Sequence, residues 1–389
     1  MADLAERIAE RIRREGPIPF DRFVEAALYD EDGGFYARGG GAGRAGRDFV
    51  TSPEVGVLFG ALLARYLDRA WTELSRPDPF VVVDAGAGRG RLAADVLRAE
   101  PGCSRALRYV LVERSAALRV AQRELLTLEP ADRAFGPAVR DERDEAPRPV
   151  EDVGPIATSL PEFPALELAA GVVIANELLD NLPFRLVERA REGWTEVRVG
   201  LAPDGFAEIA VPAAPEVAAA ADDVAAGATI PEGARLPVPT ATVDWLDQCA
   251  HVLRRGFLVV VDYGDNAASL ASRGQDKWLR TYRSHQRGET PLAAPGAQDI
   301  TSTVPAEHLV AHAARAGFRL VEHTTQAEWL AALGVDELVE DARGLWRERA
   351  AAGDLEALAA RSRVTEAAAL TDPSGLGAHD VFVFAKGLR

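Results

Sequence analysis

Apolar residues recur every fourth position at the start of the chain, where Leu4, Ile8 and Ile12 share one face of a helix. Gly16-Pro17-Ile18-Pro19 interrupts that period, and residues 20–28 restore it as a second short helix. A loop rich in glycine and arginine follows, from Gly33 to Phe49. Val50-Thr51-Ser52-Pro53-Glu54 then leads into an apolar helix that runs to Trp71. Ser52 is expected as its N-cap, with Pro53 in the first helical position and Glu54 in the first turn. The period changes at Phe80. Four consecutive apolar residues, closed by Asp84, predict a buried parallel strand. Residues 91–100 read as a helix stopped by Pro101-Gly102, and residues 108–113 as a second strand ending in Glu113.

The rest of the chain extends this alternation. Residues 129–170 are dense in proline and charge, with an irregular third strand near Ile156. Residues 171–176 are a clear fourth strand running into Glu177, and residues 256–262 a fifth ending in Asp262-Tyr263. Between them, residues 184–212 read as antiparallel strands turning at Arg191-Glu192-Gly193 and Pro203-Asp204-Gly205. The alanine-rich residues 213–228 read as a weak helix or a flexible insertion, and residues 243–253 as a helix. Residues 265–303 are expected as a long polar loop. A helix at 305–316, a sixth strand at 318–323, a helical stretch at 326–369 and a last strand at 380–385 complete the order. The expected fold is α/β, a doubly wound, mostly parallel sheet with an antiparallel last strand. Its expected organisation is a helical N-terminal cap region over 1–75 and a core over 76–264 and 305–389. Substrate-side insertions are expected at 184–250 and 265–304.

Strand, glycine turn and helix together make a nucleotide site in such a sheet. A dinucleotide fingerprint, G-x-G-x-x-G, would need glycine at position 91, where this chain has arginine. That substitution argues against a dinucleotide-dependent oxidoreductase. Asp84 followed by Gly86-x-Gly88-x-Gly90 resembles motif I of class I S-adenosylmethionine (SAM) methyltransferases. SAM carries no pyrophosphate; it has an amino-acid end that a turn can hold and a ribose diol that a carboxylate can bind. Glu113, at the tip of the second strand, is placed for that diol.

Composition narrows the field further. The 389 residues are 48% hydrophobic and 27% charged, with net charge −16 and a pI near 5.0. A protein binding nucleic acid through phosphate contacts would be basic, so no nucleic-acid partner is expected. Two cysteines, Cys103 and Cys249, make neither a disulfide framework nor a zinc cluster. His308 and His312 stand one helical turn apart without an evident acidic or cysteine partner, so no metal is expected. The first ten residues form an acidic amphipathic helix, unlike a signal or transit peptide. The longest apolar runs are strand-length, so no membrane insertion is expected. A cytoplasmic enzyme is the default, and a homodimer is compatible with the sequence.

Several blocks together resemble the MidA-like methyltransferases, whose mitochondrial member is an arginine methyltransferase assisting respiratory complex I assembly. They are Gly46-Arg47-Asp48-Phe49-Val50-Thr51-Ser52-Pro53-Glu54, then Asp84 to Gly90, then Asn176-Glu177-Leu178-Leu179-Asp180-Asn181-Leu182-Pro183. Val261-Asp262-Tyr263-Gly264, Thr281-Tyr282-Arg283-Ser284-His285 and Pro295-Gly296-Ala297-Gln298-Asp299-Ile300-Thr301 follow. The resemblance spans residues 16–333 and implies a class I fold, SAM as methyl donor and a helical cap over the site. Many relatives carry glutamate where Asp84 stands, and histidine in the segment where this chain reads Ser302-Thr303-Val304-Pro305. The second difference bears on which acceptor is taken.

The site expected from these readings has two parts. Asp84, Gly86, Gly88, Gly90, Glu113, Asn176, Thr51, Ser52 and Glu54 are assigned to the cofactor. Glu177, Asp180 and His285 are assigned to catalysis, and Phe49, Tyr263 and Arg283 to the acceptor. Carboxylates past the fourth strand would hold a guanidinium in a bidentate fork, and His285 would serve as a general base. The expected reaction is methyl transfer to nitrogen or oxygen. By the resemblance the acceptor is a protein arginine; small-molecule O- or N-methylation and a SAM-binding assembly factor with little catalysis stand as alternatives.

Overall fold

In the computed structural model, which describes residues 3–39, 51–135, 151–283, 286–350 and 354–388, the long apolar runs pair into one seven-stranded sheet. Its strands are β1 (Phe80–Ala85), β2 (Leu107–Val112), β3 (Ile156–Leu160), β4 (Gly171–Asn176), β5 (Gly256–Asp262), β6 (Arg319–Thr325) and β7 (Asp380–Lys386). The spatial order is β3-β2-β1-β4-β5-β7-β6. The pairs β1–β2, β2–β3, β1–β4 and β4–β5 are parallel, and β6–β7 is antiparallel. Every residue of β1, β2 and β5 is buried, as a sheet covered on both faces requires. Strand order reverses between β1 and β4, the switch point at which such sheets open a crevice past their carboxyl ends.

The chain divides into two units. One comprises residues 50–176, 251–261 and 319–389, and contains the sheet except for Asp262, the final residue of β5. Its core packs β-strand residues such as Val82, Leu111, Ile174 and Val259 with Leu58, Leu62 and Leu67 of the helix Val57–Glu73. Each such side chain contributes about 1.5–3 kcal/mol by leaving water.

The other unit gathers residues 1–49, 177–250 and 262–318. It is built on a five-stranded sheet, in which Trp194–Ala202 pairs antiparallel with Arg185–Arg189, Gly205–Pro212 and Ile18–Pro19. Phe20, Phe23, Phe184, Leu186 and Val199 fill its core beside the helices Leu4–Glu15 and Phe20–Tyr29.

One stretch differs from its expected form, and another takes the first of its two expected forms. Residues 265–303 are not one long loop. They hold helices Ala267–Ser272 and Gln275–Trp278, and a three-stranded sheet of Leu279–Arg283, Gln286–Arg287 and Asp299–Ser302. Those strands have two to five residues, too few for a period to show against polar surroundings. The alanine-rich segment resolves as a helix, Pro215–Ala225, with Val217, Ala221 and Val224 buried at helical spacing.

Candidate active site

Asp84 sits in β1, and the turn after it is fixed from β2. The amides of Gly86 and Ala87 both donate to Val112 O, at 2.9 and 3.1 Å. Gly86, Gly88 and Gly90 all have positive φ, of 72°, 53° and 78°. Non-glycine residues pay a steric penalty there, which explains three glycines at alternate positions. Glu113 follows β2 and is buried. Its Oε2 accepts from Gly88 N at 2.9 Å and its Oε1 from Ser115 N at 2.7 Å. Burial raises the Glu113 carboxyl above its ordinary value, against the pull of those two amides and of Arg119.

From the far side, Gln122 Nε2 donates to Gly88 O at 2.9 Å, and Ser159 Oγ donates to Gln122 Oε1 at 2.5 Å. Gly88 is therefore held by both its polar groups. A Cβ built on Gly88 would meet no atom within 4 Å, whereas one on Gly90 would lie 3.0 Å from Leu111 Cδ2 and Leu126 Cδ1. Gly88 faces open room and Gly90 faces packed side chains. A glycine turn with open room at Gly88, beside the Glu113 carboxylate, fits the amino-acid and ribose ends of a sulfonium nucleoside. Asp84 faces inward: it is buried, accepts from Tyr109 Oη at 3.2 Å, and burial pushes its carboxyl up to about 7.

The segment 51–55 is placed differently from its expected capping. Thr51 occupies the N-cap of the helix Ser52–Val55, and its side chain makes no capping bond. Ser52 lies inside the helix, buried, and donates through Oγ to Gln326 Oε1 at 2.9 Å. Gln326 Nε2 in turn donates to Leu370 O at 2.9 Å. The hydroxyl is spent on a buried side chain because Gln326 would otherwise lack a donor there. Glu54 is half-buried in the same short helix. Phe49 and His285 lie outside the described residues.

The second group of expected residues belongs to the other unit. Glu177 directly follows β4 and has φ of +51°, the left-handed region that a glutamate rarely occupies. A short 3₁₀ turn, Leu179–Asn181, follows. Asp180 is 6% exposed, and its Oδ1 has no hydrogen-bond partner among the described residues. Asp262, at the end of β5, is wholly buried and accepts from Leu179 N at 2.8 Å, Asp180 N at 3.3 Å and Tyr263 N at 2.8 Å. Asp299, also wholly buried, accepts from Asn181 Nδ2 at 3.0 Å and Tyr36 Oη at 3.2 Å.

Burial first, then Asp262, Asp299 and Glu177, hold the Asp180 carboxyl well above the ordinary range, with Arg280 opposing. Burial raises the Asp262 carboxyl too, to about 7, against the pull of the Tyr263, Leu179 and Asp180 amides; Asp180 has no such donors among the described residues and is the more readily protonated of the two. Tyr263 is raised by burial and by Glu177 and Asp180, and the Arg280 guanidinium lies over its ring at 5.4 Å. Arg283 is exposed at the end of its strand. Among the described residues no group of three or more His, Cys, Asp or Glu is arranged to hold a metal ion.

A family model described as "putative S-adenosyl-L-methionine-dependent methyltransferase" matches residues 62–324. The chain belongs to this methyltransferase family. A crystal structure of a Burkholderia thailandensis protein bound to S-adenosyl-homocysteine matches with TM-score 0.77 and 29% identity, covering 99% of this chain and 92% of that one. The mitochondrial protein arginine methyltransferase NDUFAF7 homolog of Drosophila melanogaster is 26% identical over 343 residues, 83% of this chain and 70% of that protein. The human protein arginine methyltransferase NDUFAF7 is 26% identical over 311 residues, 77% of this chain and 66% of that protein. The MidA-like family, the class I fold and SAM as cofactor are thus as the sequence led one to expect.

Sequence reasoning gave no role to four residues that organise this methyltransferase's two groups. Tyr109 is buried in β2 beside Arg108, and Gln122 is buried at the end of the helix Ala116–Gln122 that also carries Arg119, so no polar contrast within either element singled them out. Asp262 and Asp299 stood inside family-like blocks without an assigned task. No helix among the described residues is long and apolar enough to cross a membrane.

Proposed function

We propose that this methyltransferase moves a methyl group from SAM to the guanidinium of a protein arginine. The observation that supports this acceptor most is Asp180, a buried carboxyl with an unpartnered Oδ1, beside the equally buried Asp262 and Asp299. Three carboxyls out of water favour an entering cation, and a guanidinium offers five donors in a plane that matches carboxylate forks. The relatives described as protein arginine methyltransferases point to the same acceptor.

The bound cofactor supplies an electrophilic methyl group on a sulfonium. Every other part of the work is positioning and charge. The 86–90 turn and Glu113 hold the donor, Gln122 stiffens the turn, and Asp84 with Tyr109 supports it from within the sheet. Asn176 ends β4 and contributes to the donor side, while Thr51 and Glu54 close the entry to it. Glu177 receives the guanidinium and fixes which way its nitrogens point; alignment of this kind supplies much of the acceleration in a displacement. Asp180 binds the far edge of the cation, its own proton passing to solvent as the positive charge arrives, and Glu177 takes the proton that the methylated nitrogen loses. Tyr263 borders the acceptor.

Incubating the pure protein with methyl-labelled SAM and a cell lysate, then hydrolysing the protein fraction, tests the proposal. Labelled methylarginine is expected. Label confined to small metabolites, or to other side chains, overturns it.

A further inference from the structure

Asp262 is the residue whose place in the reaction nothing above explains. It ends β5, it is wholly buried, and it is surrounded by backbone donors rather than by cations. Oδ2 accepts from Leu179 N at 2.8 Å and Asp180 N at 3.3 Å, and Oδ1 accepts from Tyr263 N at 2.8 Å. Burial raises this carboxyl to about 7, against the pull of those amides. Two successive amides, 179 and 180, converge on one oxygen, as in a backbone anion nest. In this chain the anion is a built-in carboxylate.

Just before that nest stands Glu177, with φ of +51°. A glutamate held there stores about 1–3 kcal/mol of backbone strain and stays only where its surroundings fix it. Asp262 holds the start of the turn that follows: without it the buried amides of Leu179 and Asp180 lose their acceptor.

We propose that Asp262 is the positioning residue of the acceptor turn: its carboxylate clamps the amides of residues 179 and 180 and so sets where Glu177 and Asp180 present their carboxyl groups. It touches no reacting atom. The charged and titratable groups around the pair it forms with Asp180 are Glu177, Asp299, Tyr263 and Arg280.

The proposal rests on Glu177 and Asp180 being acceptor residues, and the experiment separates the two ideas. Asp262→Asn keeps the shape but turns an NH₂ toward one set of amides. Three readouts are compared with wild type: amide hydrogen exchange at residues 179 and 180, affinity for S-adenosylhomocysteine, and methyl transfer from labelled SAM to lysate protein. Exchange at 179 and 180 is expected to quicken at least tenfold while β1 and β2 stay protected. Cofactor affinity should stay within threefold, and transfer should fall at least tenfold without recovery at higher lysate concentration. Unchanged exchange, or affinity falling in step with transfer, overturns the proposal. Quickened exchange with full transfer also overturns it; if Glu177→Gln is then fully active as well, the acceptor reading itself has failed. Should Asp262→Asn not fold, wild-type exchange decides. Amides 179 and 180 must exchange as slowly as those of β5, and rapid exchange there rejects the clamp.

Discussion

Replacing Gly88 and Gly90 by alanine, one at a time, separates a glycine kept for the ligand from a glycine kept for packing. Both residues have positive φ, 53° and 78°, so each alanine costs about 1–2 kcal/mol of backbone strain. Part of that, about 0.4–1 kcal/mol, is returned by the stiffer unfolded chain. At Gly88 the account ends there, because a Cβ meets nothing within 4 Å. At Gly90 the new methyl lies 3.0 Å from Leu111 Cδ2 and Leu126 Cδ1 and 3.3 Å from Gln122 Cγ. Crowding of that kind adds about 1–3 kcal/mol. Urea denaturation without ligand should therefore show Gly88→Ala within about 1 kcal/mol of wild type and Gly90→Ala about 2–4 kcal/mol below it. Calorimetric titration with S-adenosylhomocysteine should give the opposite ranking. Gly88→Ala fills space meant for the cofactor and should lose at least tenfold in affinity, about 1.4 kcal/mol. Gly88→Val should abolish binding. Wild-type affinity in Gly88→Ala would refute the placement of the cofactor at this turn.

Other perturbations test neighbouring parts. Glu177→Gln should leave S-adenosylhomocysteine affinity nearly unchanged and abolish methyl transfer; equal loss of both, in parallel titration and labelling assays, would move Glu177 to the cofactor. Ser52→Ala should cost about 1 kcal/mol in urea denaturation by stranding Gln326, with cofactor affinity retained. Asp84 gives a pH test. Its folded value, raised to about 7 by burial, lies above that of the unfolded chain, so the native state holds a proton that the unfolded state has released. Its contribution is fully present below the unfolded value and is lost as pH rises toward 7, at up to about 1.4 kcal/mol per pH unit. Asp84→Asn should flatten the stability profile between pH 4 and 7 relative to wild type, and an unchanged slope would show that Asp84 ionises normally.

Much of the sheet was legible because its signals are local. The apolar run before Asp84, the alternate glycines and the acid ending the next segment each declare themselves within a few residues. The last strand, β7, is antiparallel to β6, as its place after a helical stretch suggested. The other unit was less legible because its order is set by partners far apart in sequence. Ile18 pairs with Val199, and Asn181 bonds to Asp299. Asp299 is a polar residue on a four-residue strand, with no period to mark it as buried. Ser52 misled for a related reason. Its neighbours make it a good cap, but a buried partner 274 positions away takes its hydroxyl instead. Asp180 was legible as a carboxyl past β4, while the absence of a partner for its Oδ1 depends on burial that no local pattern encodes.

A crystal structure of this protein with S-adenosylhomocysteine tests the central claim most directly. The ribose hydroxyls should lie within hydrogen-bond reach of the Glu113 carboxylate, with the amino-acid end against the turn from Gly86 to Gly90. Ligand density elsewhere, with that turn vacant, would contradict the account.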